Sequence, residues 1–131
     1  MIVRKVLNFE DLPSKHVAVR RALENCGVSY IDHAENAVDG LDMIEAAIAE
    51  GKPYDLIVSD MYFPVSKGGM EVQAGMYVIE ELQARGINIP VIVCSSARMV
   101  IPEIVGCIHY NPYRNDLNAD MREMIDIVRN M

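Results

Sequence analysis

Short apolar segments alternate along this chain with longer segments in which apolar residues recur every three or four positions. Segments 54–59 and 89–94 are crowded with Val, Ile and Leu and lack strict alternation, which is typical of parallel strands covered on both faces. Segment 28–34 alternates more regularly, and we therefore expect it near an edge of the sheet. The five predicted strands cover 2–9, 28–34, 54–59, 89–94 and 104–110.

Four helices are predicted between and after these strands. Pro13 suits a first helical turn, and Asn36 can cap a second helix. Gly27, Gly51 and Gly86 each follow a helical pattern at the position where a helix commonly ends. The apolar residues of the four helices are Val19, Leu23 and Cys26; Val38, Leu41, Ile44 and Ile48; Val72, Met76, Ile79 and Leu82; and Leu117, Met121, Met124, Ile125 and Val128.

The alternation of strands and helices predicts βαβ units and a parallel sheet with helices on both faces. The predicted fold class is therefore α/β. We expect one domain spanning residues 1–131, because a chain of this length builds one hydrophobic core. One helix should be short or missing, since few residues separate Ser95 from Asn111 and Pro102 lies among them.

Composition and charge argue against several classes of protein. The formal net charge is −7, which disfavours a surface for nucleic acid or an anionic membrane. No apolar segment reaches the ~18 residues of a membrane span, and the N-terminal segment lacks the core of a signal peptide. Cys26, Cys94 and Cys107 are odd in number and lack metal-ligand spacing. We therefore expect a reducing cytoplasm rather than a disulfide scaffold or a structural zinc site.

The most informative residues follow the predicted strands, because ligands bind at the carboxyl ends of the strands in an open parallel sheet. Glu10 and Asp11 follow the first strand, Asp60 follows the third, and the fourth runs into Ser95 and Ser96. If the first and third strands are neighbours, the three carboxylates share one crevice and need a cation to offset their repulsion. Oxygen ligands of this kind favour Mg²⁺, and such a site suits phosphoryl transfer to a carboxylate.

Four segments taken together resemble the receiver domain of bacterial response regulators. They are VLNFED at 6–11, YDLIVSD at 54–60 followed by Pro64, IPVIVCS at 89–95 and NPY at 111–113. Their order and spacing match that family over nearly the whole chain. The resemblance implies a doubly wound, flavodoxin-like sheet of five parallel strands in the order 2-1-3-4-5.

The resemblance also implies a role for each matching residue. Asp60 corresponds to the phospho-acceptor of the family. Glu10 and Asp11 correspond to the acidic pair that holds Mg²⁺, with Asp60 and the backbone carbonyl of Tyr62 completing the protein ligands. Ser95 corresponds to the hydroxyl residue that bonds the phosphoryl group in the active state.

The fifth strand departs from the family. Asn111 stands where the family has a lysine that pairs with the phosphoryl oxygens, and an amide brings no charge to that position. Ile108 stands where the family has its switch aromatic. Tyr110 lies on the same face as Ile108 only if strand alternation holds. The family implies a cis bond between Asn111 and Pro112, and a trans bond there would question the alignment of this strand.

Two lengths also differ from the family. Asp60 and Gly75, the glycine that opens the third helix, are 15 positions apart, so the loop after the third strand is lengthened by residues 65–70. The fourth helix is shortened or missing. Lys67 and Arg98 lie in loops near the predicted site and are candidates for the missing positive charge, although a role as a solvated surface cation is favoured for each.

These observations predict a receiver domain of two-component phosphorelay signalling. We expect it to accept a phosphoryl group on Asp60 from a histidine kinase or phosphotransfer protein, with Mg²⁺ as cofactor, and to signal by contact with a downstream protein rather than act as an enzyme. A degenerate receiver that binds partners without being phosphorylated is one alternative, favoured by Asn111 and Ile108. A small Mg²⁺-dependent phosphohydrolase that uses the same acids is another.

Overall fold

Five parallel strands form a sheet with helices packed on both of its faces. The structure is a computed structural model, and it describes residues 1–114 and 116–131. The strands of the sheet are β1 (Lys5–Phe9), β2 (Tyr30–Ala34), β3 (Leu56–Ser59), β6 (Val91–Ser95) and β7 (Gly106–His109), and a separate hairpin consists of β4 (Phe63–Pro64) and β5 (Glu71–Val72). The helices are α1 (Pro13–Asn25), α2 (Ala37–Ala49), α3 (Ala74–Ala84) and α4 (Leu117–Arg129).

The sheet has the order β2-β1-β3-β6-β7, and every neighbouring pair is parallel. Numbered among themselves, its five strands have the order 2-1-3-4-5, so the predicted fold class is confirmed. β2 lies at one edge of the sheet, as its alternating sequence predicts. β1 lies between β2 and β3, and the carboxyl ends of β1 and β3 are therefore neighbours at one end of the sheet.

Each face of the sheet contributes to its own hydrophobic core. On one face, Leu7 and Phe9 of β1 pack with α2 and α3. On the other face, Val6 packs with α1 and α4. Because adjacent residues of a strand point to opposite faces, an uninterrupted apolar strand is what this double packing requires.

The predicted helix ends are confirmed. Pro13 is the first residue of α1, and the side-chain oxygen of Asn36 accepts a hydrogen bond of 2.8 Å from the backbone N–H of Asp39 at the start of α2. Gly27 and Gly86 follow α1 and α3 with φ angles of 85° and 66°, a left-handed conformation that favours glycine.

The buried face of α2 differs from the predicted one. Val38 and Ile48 belong to the apolar pattern of this helix, but they are 39% and 41% exposed. Gly40 and Ala47 are buried instead. Small residues on this face let the helix approach the sheet closely enough for the ring of Phe9 to lie against Gly40.

The lengthened loop after β3 is confirmed, and part of it is ordered as the β4–β5 hairpin. Phe63 pairs with Val72 across this hairpin. Val72 therefore belongs to a strand rather than to α3, which begins only at Ala74. The carbonyl of Val65 accepts a hydrogen bond of 2.8 Å from the N–H of Val38, which ties the loop to α2.

The helix that the receiver family has between the fourth and fifth strands of its sheet is missing between β6 and β7. Residues 96–105, all within the described part of the chain, form bends and turns but no helix. Met99, Ile101 and Ile104 are partly buried and pack against the core on the α2–α3 face. Among the helices of residues 1–114 and 116–131, none has the length and apolar character needed to cross a membrane.

Candidate functional site

Three carboxylates meet at the carboxyl end of the sheet. Glu10 and Asp11 directly follow β1, and Asp60 directly follows β3. Each of the three side chains offers a carboxylate oxygen within 4.8 Å of the other two. The pairing of β1 with β3 produces this arrangement, because Phe9 and Ser59, the residues before Glu10 and Asp60, are partners in the sheet. Three hard oxygen donors at this separation fit a divalent cation such as Mg²⁺.

The carboxylate of Asp60 has one fixed and one available oxygen. Its Oδ1 accepts a hydrogen bond of 2.7 Å from the backbone N–H of Met61. The backbone N–H of Asp60 donates to the carbonyl of Phe9 at 3.0 Å and holds the residue against β1. Within the described part of the chain, no group donates a hydrogen bond to Oδ2. That oxygen is therefore available to a metal ion or an electrophile.

A lysine lies among the acids. Lys15 is in the first turn of α1, and its Nζ is 3.0 Å from Oε1 of Glu10 and 3.3 Å from Oδ1 of Asp60. The same Nζ donates a hydrogen bond of 2.7 Å to the carbonyl of Cys94 and lies 5.1 Å from the ring centroid of Tyr110. These contacts place a positive charge in direct reach of two of the three acids.

Sequence reasoning missed Lys15, although a signal for it exists. Lys15, Val19, Ala22 and Leu23 are the buried residues of α1 and have helical spacing. Extending the apolar side of α1 back by one turn from Val19 therefore points to Lys15. A lysine at such a position must find anionic partners, because burying an unpaired ammonium is costly.

Burial changes the pKa values of both Glu10 and Lys15. Burial raises the pKa of Glu10 to about 7, while the ammonium of Lys15 opposes the shift. Burial lowers the pKa of Lys15, but the carboxylates of Glu10 and Asp60 help to outweigh it and the net pKa is raised. Lys15 therefore stays charged at neutral pH, whereas Glu10 changes its charge near neutrality.

Mg²⁺ binding should weaken as the pH falls through 7, because a proton on Glu10 competes with the metal. We expect the affinity to be about tenfold lower at about pH 6 than at about pH 8, as a single competing proton predicts. Calorimetric titration of the protein with MgCl₂ at both pH values measures this difference. Equal affinities would show that Glu10 is already ionised at the lower pH or does not contribute a ligand.

The raised pKa of Glu10 also predicts how the stability of the metal-free protein depends on pH. The pKa of Glu10 rises from 4.5 to about 7 on folding, so the folded state binds more protons than the unfolded state between these values. The contribution of Glu10 to the free energy of unfolding is therefore greatest below about pH 4.5 and is lost as the pH rises through 7. Urea unfolding of wild type and Glu10→Gln across this range isolates the contribution.

The hairpin brings a fourth acid to the site. Glu71 of β5 lines the same pocket as Glu10, Asp11 and Asp60. A hydrogen bond with the carboxyl of Asp11, followed by the negative charge of Asp11, raises the pKa of Glu71. Glu71 follows directly after the lengthened loop, for which the sequence predicted no structure. Pairing of β5 with β4 is what brings Glu71 to the acidic pocket.

The predicted hydroxyl residue and carbonyl ligand both follow the sheet towards its carboxyl end, with Ser95 as the last residue of β6 and Tyr62 in the segment after β3. Ser95 ends β6 and is buried, and its hydroxyl oxygen accepts a hydrogen bond of 3.3 Å from the N–H of Ala97. Its neighbour Ser96 lines the acidic pocket.

Tyr62 lies two residues after Asp60 and has an exposed side chain. Its hydroxyl oxygen accepts a hydrogen bond of 3.2 Å from Gln73 Nε2. The assigned roles of Ser95 and Tyr62 remain predictions.

Two histidines support the backbone beneath the acids. The rings of His16 and His33 stack with centroids 3.7 Å apart. His33 Nε2 donates a hydrogen bond of 2.6 Å to the backbone carbonyl of Glu10, and His16 Nδ1 accepts one of 2.9 Å from Asn8 Nδ2. Burial, followed by the charge of His33, lowers the pKa of His16, which favours the neutral form of the His16 ring. The pair therefore positions Glu10.

The segment that follows β7 has a different backbone conformation from the one that the receiver family implies. The predicted cis bond is wrong, because the Asn111–Pro112 bond is trans, like every other bond of the described residues. Ile108 is buried in the core between the sheet and α1 and α4. Tyr110 packs on the same face, so strand alternation holds. The side-chain oxygen of Asn111 accepts a hydrogen bond of 2.9 Å from the N–H of Tyr113 and is thereby committed to a turn.

The two cations proposed from the sequence lie on the surface. Lys67 is exposed in the loop between β4 and β5. Arg98 is exposed and lines a different pocket, together with Cys107 and His109. Their assigned role stays a prediction, and Lys15 is a third candidate that already contacts the acids.

No protein-family model matches the sequence, and no curated protein matches it. Solved structures do match. A DNA-binding response regulator of the LuxR family from Staphylococcus aureus is 18% identical, with a TM-score of 0.73 over 98% of this chain and 100% of its own. The phosphorylated cyanobacterial phytochrome response regulator RcpA is 16% identical, with a TM-score of 0.74 over 98% and 95%. The Mn²⁺-bound response regulator Rcp1 is 14% identical, with a TM-score of 0.69 over 92% and 91%.

These similarities show that the chain has the fold of response-regulator receiver domains over nearly its whole length. The acidic cluster lies where a doubly wound sheet places its ligands, at the carboxyl ends of the strands beside the point where strand order reverses.

Proposed function

We propose that this chain is a receiver domain of two-component signalling that accepts a phosphoryl group on Asp60 in a Mg²⁺-dependent reaction. The observation that carries the proposal is the meeting of Glu10, Asp11 and Asp60 within 4.8 Å at the end of a receiver-fold sheet. The donor is a histidine kinase or phosphotransfer protein. The domain works in the cytoplasm, is not an enzyme, does not itself bind nucleic acid, and passes its signal by contact with another protein.

The geometry suits Asp60 as the nucleophile. Its Oδ2 forms the new bond to phosphorus while the bond between phosphorus and the donor atom breaks, and the donor keeps that electron pair. The N–H of Met61 orients the carboxylate through Oδ1. Glu10, Asp11, Asp60 and the carbonyl of Tyr62 would hold Mg²⁺, which when bound neutralises charge on the phosphoryl oxygens.

A hydroxyl group at the end of β6 completes the site. Ser95 donates its hydroxyl hydrogen to a phosphoryl oxygen once the group is on Asp60. The doubly negative phosphoryl group then biases the loop after β6, where the segment 96–105 has no helix to restrain it. The conformation of this loop and of the adjacent face of β7 would therefore depend on whether Asp60 is phosphorylated.

Treatment with acetyl phosphate and Mg²⁺, followed by intact-mass measurement, should give a single phosphoryl adduct on the wild-type chain. Asp60→Asn should give none, because the amide lacks the nucleophilic carboxylate. Asp42→Asn is the matched control, since Asp42 is exposed on α2 away from the site and its loss changes the net charge equally. An adduct of normal yield on Asp60→Asn would contradict the assignment of the phospho-acceptor.

A degenerate receiver is the second candidate, and the state of Asn111 favours it. Its side-chain oxygen accepts a hydrogen bond from the N–H of Tyr113 within a turn, and its amide carries no charge for a phosphoryl group. Failure of the wild-type chain to form an adduct at any acetyl phosphate or Mg²⁺ concentration would support this alternative. Continuous release of phosphate from a small substrate over many turnovers would instead indicate a phosphohydrolase.

A further inference from the structure

We propose that Lys15, on helix α1, supplies the positive charge that pairs with the phosphoryl oxygens on Asp60. This inference rests on the proposed function and names a residue for a role that Asn111, at the end of the last strand, cannot perform. The cation therefore reaches the site from helix α1 rather than from the end of the last strand.

The position of the ammonium is the first argument. Nζ of Lys15 lies 3.3 Å from Oδ1 of Asp60, the carboxylate that would carry the phosphoryl group. The carbonyl of Cys94 at 2.7 Å and Oε1 of Glu10 at 3.0 Å fix Nζ from two further directions. A phosphoryl group on Oδ2 places its oxygens within a few bond lengths of this Nζ, where charge-assisted hydrogen bonds are strong.

The burial of Lys15 is the second argument. The residue is 5% exposed, whereas Arg20 and Arg21 on the same helix are exposed. An ammonium in such surroundings interacts more strongly with a charge that develops beside it than a surface cation does. Lys67 and Arg98 are both exposed and would have to leave water to perform the same role.

The charge balance of the reaction gives the third argument. In transfer from acetyl phosphate, Oδ2 of Asp60 bonds to phosphorus, the bond from phosphorus to the acetate oxygen breaks, and acetate leaves with the electron pair. The site gains a doubly negative group in exchange for one carboxylate charge. Lys15 can turn from Glu10 towards this group while the carbonyl of Cys94 continues to accept one of its three N–H groups.

Lys15→Gln tests the proposal by removing the charge and keeping most of the side-chain length. In excess Mg²⁺ we expect the adduct to form about 10- to 100-fold more slowly than on the wild-type chain, as the loss of one charged hydrogen-bond donor predicts. Mg²⁺ affinity of the unphosphorylated variant, measured by calorimetry, should be equal or higher, because a cation that competes for Glu10 and Asp60 has been removed. Lys67→Gln and Arg98→Gln are matched controls and should form the adduct at the wild-type rate.

A second measurement uses the wild-type chain, so it does not depend on the variant folding. The sequence has four lysines, at positions 5, 15, 52 and 67, so the lysine Cε region of a ¹³C NMR spectrum contains few signals. Assignment by single substitution of Lys5, Lys52 and Lys67 identifies the Lys15 signal by elimination. Phosphorylation should shift the Lys15 signal and leave the Lys67 signal in place.

The outcomes separate this inference from the function on which it rests. If the wild-type chain forms the adduct while Lys15→Gln forms it equally fast, or while the Lys15 signal does not shift, the inference is overturned and the proposed function stands. If a control variant is the slow one, the cation is Lys67 or Arg98. If the wild-type chain forms no adduct, the proposed function fails and the role of Lys15 fails with it.

Discussion

Gly75→Ala is expected to cost about 3 kcal/mol of stability and to slow phosphorylation of Asp60, because the added Cβ presses α3 against the backbone of Asp60 and Met61. A Cβ at position 75 would lie 2.6 Å from the carbonyl oxygen of Asp60 and 2.9 Å from Cα of Met61. Both are backbone atoms and cannot rotate away as a side chain can. The N–H of Gly75 also donates to the carbonyl of Met61 at 3.0 Å, so α3 cannot withdraw without breaking that bond.

Urea unfolding and the rate of adduct formation together measure this effect. Gly106→Ala is the matched control, because its Cβ would meet only the flexible end of Met124, with Sδ at 2.9 Å, and should cost much less. If Gly75→Ala matched the control in both stability and phosphorylation rate, the close packing of α3 on Asp60 would not be what orients the carboxylate.

Gly40→Ala is expected to lower stability by about 3 kcal/mol or more, with a fall in Tm of about 10 °C. The new Cβ would overlap the ring of Phe9, since it would lie 2.9 Å from Cδ1 and closer still to two other ring atoms. Phe9 is fully buried and stacks at a tilt against Phe63, with ring centroids 5.8 Å apart, so it has little room to move. Either α2 must shift outward or the ring must leave its rotamer.

The effect of Gly40→Ala should extend to the metal site. Phe9 immediately precedes Glu10, and its carbonyl accepts the N–H of Asp60 at 3.0 Å. Displacement of Phe9 therefore disturbs the relative positions of Glu10 and Asp60. We expect weaker Mg²⁺ binding by calorimetry in addition to the lower Tm measured by circular dichroism. Wild-type stability in this variant would mean that α2 can move away from the sheet without cost.

Hydrophobic periodicity and capping residues were sufficient to predict most of the architecture. The apolar segments correspond to the five strands of the sheet, and Pro13 and Asn36 mark the starts of α1 and α2 where the sequence predicts them. The apolar pattern of α2 includes Val38 and Ile48, which are exposed, and omits Gly40 and Ala47, which are buried. Close packing against Phe9 needs small residues there, and that requirement comes from the partner surface rather than from the helix.

The acidic cluster was also predictable, since residues that follow neighbouring parallel strands share one end of the sheet. Lys15 and Glu71 were not predicted as parts of the site. Lys15 reaches the acids from α1, and Glu71 reaches them from a hairpin whose position depends on pairing with β4 and contact with α2. The resemblance implied a cis bond between Asn111 and Pro112, but the bond is trans and Asn111 forms a turn.

The amino-acid pattern alone thus determined the α/β class, because strands and helices follow from short-range periodicity. The resemblance to receiver domains added the order in which the first and third strands are neighbours, and the meeting of Glu10, Asp11 and Asp60 follows from that order because parallel strands end together. Only the tertiary structure decided which cation faces those acids and which small residues lie against Phe9 and Asp60. Contacts of this kind join side chains that are distant in the chain, and their distances depend on how helices pack on the sheet.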